Sequence, residues 1–78
     1  MTRIYTIGLE QAQEKEGCYL VVLVAHRDGR RACRAALAEA AKRGGRWRVA
    51  HRAERRTGLR IPMGEILGTS EPIRFSVE

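Results

Sequence analysis

With 78 residues the chain makes one domain, 1–78, and a domain this small buries only about 60–65% of the surface its unfolded form exposes, so its core is thin and an enclosed active-site pocket is poorly supported. Thirteen arginines and two lysines outnumber nine acids for a formal charge of +6, and two cysteines are too few for the disulfide framework of a small secreted domain. The first seven residues alternate polar and apolar, unlike a signal peptide, and the apolar run 18–25 is too short to span a bilayer, so a soluble cytoplasmic protein with reduced thiols is expected.

Residues 3–7 alternate and are rich in strand formers (Ile4, Tyr5, Thr6, Ile7), and Gly8 is placed to bulge or end that strand. Residues 9–16 fit either a short helix capped by Gly17 or the far end of a long hairpin turning near 14–17; the hairpin is favoured. The run 18–25 is β-branched and apolar throughout, which predicts a central strand buried on both faces.

Asp28 then offers a helix N-cap. Residues 30–43 carry Cys33, Ala36, Leu37, Ala40 and Ala41 at i, i+3, i+4, i+7, i+8, an apolar stripe small enough to lie close on a sheet. With its cap the helix spans about 29–43. Glu39 and Arg43 are spaced as an i,i+4 pair, and Gly44 and Gly45 close the helix.

Residues 46–53 alternate again, with Trp47, Val49, His51 and Ala53 on one side and Arg46, Arg48, Ala50 and Arg52 on the other. A helix competes here, since Trp47, Ala50 and Ala53 also fit its spacing. Residues 54–58 read as a polar turn. Leu59, Ile61 and Met63 read as an edge strand because of Pro62, 64–70 as a loop or single turn, and Ile73, Phe75 and Val77 as a closing strand. The order ββαβββ (βαβαββ if the two ambiguous segments are helical) gives an α+β fold: a mainly antiparallel sheet of four to five strands against one Ala-rich helix.

The charge is concentrated. Residues 27–60 hold twelve Lys and Arg against three acids, net +9, while the rest hold three cations against six acids, net −3. A GC-rich genome explains arginine in place of lysine but not this placement, which points to nucleic acid, a nucleoprotein or an acidic protein face. Two binding surfaces are expected. One is Arg27, Arg30, Arg31 and Arg34, at i, i+3, i+4, i+7, crowded into the start of the helix where cations are unfavourable and an anion relieves them. The other is the strand face of Arg46, Arg48 and Arg52, with Arg60 beside them on the next strand.

Other chemistries fit poorly. Cys18, His26, Cys33 and His51 lack the spacing of any zinc module, so no metal is expected and the cysteines read as core residues. The one Asp is assigned to the cap, and His26 and Asp28 stand too close in sequence to orient an imidazole. Gly64 and Gly68 lack the lysine of a phosphate loop. No RRM, KH or zinc-knuckle signature is present, and Trp47 groups with the apolar set rather than as a base-stacking aromatic. The expectation is a non-enzymatic binder, monomeric or weakly dimeric, without cofactor. A phosphate-contacting nucleic-acid accessory protein is the alternative, and a small RNase-type toxin using His51 with arginines a more distant one.

The 78-residue single domain, the run Gly17-Cys18-Tyr19-Leu20-Val21-Val22, the Ala-rich helix after Asp28-Gly29 and the lopsided charge together resemble, at the level of class, the small phage-encoded anti-CRISPR proteins. These share no common motif. The resemblance implies stoichiometric binding to a CRISPR effector complex with no chemistry performed. Many such inhibitors are acidic DNA mimics; a basic chain would instead contact an acidic protein surface, the guide RNA or the target strand.

Overall fold

The computed structural model describes residues 2–12, 16–57 and 60–76. The alternation at the N-terminus continues past Gly8, so β1 (Thr2–Ala12) and β2 (Glu16–His26) form one long antiparallel hairpin, in register from Arg3↔His26 to Ala12↔Gly17. Its turn lies outside the described residues. After Asp28 comes the helix α1 (Gly29–Ala41), then β3 (Arg48–Thr57), β4 (Glu65–Thr69) and β5 (Ile73–Ser76). The sheet order is β3-β1-β2-β4, and β5 pairs with β2 on the same side as β4. This is the expected ββαβββ order and α+β class.

β4 pairs with the second half of β2 and β5 with the first. Between them the Ser70 N–H donates to the Val21 carbonyl (2.8 Å), and the Val21 N–H donates to Ser70 Oγ (2.9 Å). The two short strands thus form one interrupted edge, broken next to Pro72, which has no N–H to offer a ladder.

The core lies between α1 and one face of the sheet. Tyr5, Ile7 and Leu9 of β1 stand opposite Val24, Val22 and Leu20 of β2, and all six are buried. Ala32, Ala36 and Ala40 of α1 are fully buried against them. Side chains this small let the helix axis approach the sheet closely, so five large aliphatic residues suffice as filling. Each contributes about 1.5–3 kcal/mol when fully buried.

Several expectations are corrected. β2 is central but its second face is covered only in part: Ala25 is fully buried there, while Leu23, two residues before it, is 38% exposed. The helix stripe is shifted, with Ala32 buried and Ala41 exposed. Glu39 pairs with Lys42 (3.0 Å), while Arg43 donates to the Glu39 carbonyl (3.1 Å). Gly44 and Gly45 do close the helix, at φ 83° and 81°, where a side chain would be strained. β3 starts at Arg48 and runs through 54–57, where a turn is expected, because β1 extends far enough to pair with it as far as Thr2↔Thr57. Residues 60–62 form no strand; Met63 and Gly64 turn the chain, with the Gly64 N–H donating to the Ala25 carbonyl (2.7 Å). Leu59 and Val77 lie outside the described residues. The strand forms instead at Glu65–Thr69, where Ile66 reaches the core.

Candidate anion-binding surface

The helix start is built by Asp28, whose carboxylate accepts the Arg31 N–H (2.9 Å) and caps the helix. That backbone hydrogen bond, more than the Arg31 charge, holds the Asp28 carboxyl below its ordinary pKa. The first turn contains no acid of its own. Arg30, Arg31 and Arg34 share a shallow hollow with Asp28, all three exposed. Arg27 lies before the cap; it is exposed, and its N–H donates to Nδ1 of His26 (2.8 Å). The first expected cluster therefore forms around the cap, with Arg27 outside the hollow.

The second cluster is divided by a β-bulge. Gly8 pairs with His51 but Leu9 pairs with Val49, so Ala50 is an extra residue and the alternation of β3 shifts phase there. Arg48 pairs with Glu10 on the face away from α1 and holds its carboxylate in an ion pair. Arg52 pairs with Ile7 on the face that carries the helix. The two residues expected to share a face thus sit on opposite ones. Arg46 precedes the strand and joins Glu10, Trp47 and Arg48 around a second hollow. Arg60 lies in the connection from β3 to β4, which crosses to the far side of the sheet, so no strand carries it alongside β3.

The bulge sends Arg52 to the helix start. A methyl built on Gly29 would meet Arg52 Nη1 at 2.5 Å and Cζ at 2.9 Å, so the guanidinium lies directly over that glycine. A third hollow, lined by Arg3, Tyr5, Gly29, Arg52 and Glu54, opens there. Arg56 stands opposite Arg3 in register, and Arg3 pairs with Glu54 (3.7 Å). The cationic surface therefore runs from Arg34 and Arg30 across Gly29 to Arg52. Among the described residues, Arg27, Arg30, Arg34, Arg46, Arg52 and Arg60 have no carboxylate within 4.0 Å, while Arg31 has Asp28 (3.6 Å) and Arg48 has Glu10.

Reading 54–58 as a turn hid Arg3 and Arg56. Continuing the β3 alternation past Ala53 would have found Arg56; the bulge at Ala50 has no sequence signal. Trp47 is spent on structure: it packs against the core, and its Nε1–H donates to the Gly44 carbonyl (3.0 Å). Cys18 and His26 are on the helix-side face of the sheet, His51 is on the other, and among the described residues no three His, Cys, Asp or Glu side chains gather as metal ligands. No helix is long and apolar enough to cross a membrane. No protein-family model, curated protein or solved structure matches the chain.

Proposed function

We propose that this chain is a non-catalytic, stoichiometric binding protein that docks its cationic surface on an acidic protein face or a nucleoprotein complex; the anti-CRISPR resemblance makes a CRISPR effector the leading example. The observation that carries this reading is that Arg52 rests on Gly29 beside the exposed Arg30, Arg31 and Arg34 of the helix start, and that neither Arg30 nor Arg52 has a carboxylate within 4.0 Å among the described residues. Cations at the positive end of a helix dipole, four of them within eight residues, oppose folding. A partner's carboxylates or phosphates relieve that cost, and desolvated arginine contacts of this kind hold interfaces together.

Acids punctuate the surface. Asp28 and Glu54 each line one of its two hollows. A uniform polyanion would be repelled at each of them, whereas a protein with spaced carboxylates can avoid them. Trp47 is partly buried against the core and its indole N–H is held by the Gly44 carbonyl, which limits the ring as a stacking platform for a base. Both features favour protein contact over free nucleic acid.

A gel-shift series across salt, run beside capture of the binding complex from host lysate, tests the proposal. The expected result is tight capture with weak binding to free DNA or RNA at physiological salt. Steep, salt-sensitive binding to naked nucleic acid would support the accessory-protein reading instead. Nuclease activity abolished by His51→Ala would overturn the non-catalytic reading.

A further inference from the structure

The sheet face away from α1 carries no helix among the described residues, although Ala25 on it is fully buried, and its cross-strand rows have a repeated asymmetry. One row runs Arg55, Ile4, Ala25, Glu65 across β3, β1, β2 and β4. It has a cation at one end, an anion at the other, and a large residue beside a small one between them. The next row runs Ala53, Thr6, Leu23, Gly68. There Leu23 stands 38% exposed, while Ala53 and Thr6, with Ile4, Glu54 and Arg55, line a shallow depression. Neither Arg55 nor Glu65 has an opposite charge within 4.0 Å among the described residues.

We infer that this face binds a second copy of the chain, sheet against sheet, about a two-fold axis parallel to the strands. That operation lays β3 of one copy over β4 of its partner. Arg55 then meets the partner's Glu65, and Ile4 stands over the partner's Ala25, which is already buried within its own copy. Leu23 enters the depression beside the partner's Thr6, and each contact is made twice, as an isologous interface requires. Sheets stack about 10 Å apart with strands within about 30° of parallel, a gap that Arg and Glu side chains reach across. The alternative two-fold, perpendicular to the strands, lays each strand over its own copy, so Arg55 on β3 and Glu65 on β4 stay at opposite edges and no Arg55–Glu65 pair forms. The net charge of +6 per copy opposes association at long range but is screened beyond about 8 Å at physiological ionic strength. The dimer leaves both helices on its outer faces, so two cationic surfaces point outward. This inference does not depend on the anionic partner.

Sedimentation equilibrium of the full chain from micromolar to millimolar concentration tests it, with circular dichroism confirming that each variant is folded. The expected result is a monomer–dimer equilibrium. Leu23→Glu and Arg55→Glu should each raise the dimer Kd about tenfold or more, and Arg55→Glu/Glu65→Arg should restore it by exchanging the paired charges. A chain that stays monomeric at millimolar concentration overturns the inference. So does a dimer that Arg55→Glu leaves intact, or a charge-exchanged variant that fails to recover.

Discussion

The guanidinium of Arg52 rests on Gly29, the first residue of α1, and couples edge strand β3 to the start of the helix. The contact needs two separate sequence features. The bulge at Ala50 turns Arg52 to the helix side, and the missing Cβ at position 29 leaves room for it. Gly29 has no left-handed backbone, so alanine fits its conformation. Gly29→Ala should leave stability unchanged or raise it by up to about 1 kcal/mol. It displaces Arg52 and should weaken partner binding by about tenfold. In an Arg52→Ala background the same substitution should have no further effect, which a binding titration of the double-mutant cycle checks.

Asp28 links the helix start to pH. Its carboxyl is held below its ordinary pKa by the Arg31 N–H, so the folded state binds its proton less readily than the unfolded chain does. The stabilisation is therefore fully present above about pH 4, the unfolded value, and is lost as pH falls through the lower folded value. Asp28→Asn keeps a cap acceptor without the charge. Thermal melts from neutral pH down to strong acid should show the parent more stable near neutrality, with the difference shrinking below that window. A constant difference at every pH would show that the Asp28 charge does not contribute to stability.

The strands were legible wherever a hydrophobic period stood against a real neighbour. Tyr5, Ile7 and Leu9 alternate because they face a helix, and Asp28, Gly44 and Gly45 mark that helix at both ends. Local pattern misleads where tertiary pairing overrides it. The segment 54–57 has turn-like polarity yet is held extended by β1, and Ile61 and Met63 alternate without any strand beside them. Ile66 and Leu67 lack alternation because a bulge interrupts β4 opposite Leu23 and Val24. The helix-start arginines were legible as a cluster because helical spacing is local. The split of Arg48 from Arg52 was not, because it depends on one extra residue in a register set by another strand.

The alanine stripe makes a discriminating packing test. The sequence period places Ala41 in the stripe and omits Ala32, while in the fold Ala32 is buried and Ala41 exposed. Ala32→Leu should force the helix off the sheet and cost about 1–3 kcal/mol. Ala41→Leu should change stability by less than about 0.5 kcal/mol. Denaturant midpoints of the two variants measure both, and equal losses would place the helix in the wrong rotation about its axis.

Charge reversal separates the cationic surface from the rest of the arginines. Arg30 and Arg31 crowd the positive end of the helix dipole, so Arg30→Glu/Arg31→Glu removes repulsion, and among the described residues it breaks one side-chain ion pair, the exposed one to Asp28 (3.6 Å). The melting temperature should stay within a change equivalent to about 0.5 kcal/mol or rise. Partner binding should fall steeply, by about 2–5 kcal/mol for each desolvated arginine–anion pair that is broken. Arg52→Glu should behave in the same way, because its guanidinium joins that surface over Gly29. Arg48→Glu is the control: it carries the same change of charge, but it sits on the opposite sheet face and places two carboxylates together at Glu10. It should lower stability slightly and leave binding within about threefold of the parent, since exposed charges remote from an interface act mainly through long-range steering. Isothermal titration against the captured partner, with a thermal melt of each variant, gives both quantities. Equal weakening by Arg48→Glu and Arg52→Glu would mean that the partner responds to total charge alone. Undiminished binding by Arg30→Glu/Arg31→Glu and by Arg52→Glu would remove the cationic surface as the basis of function.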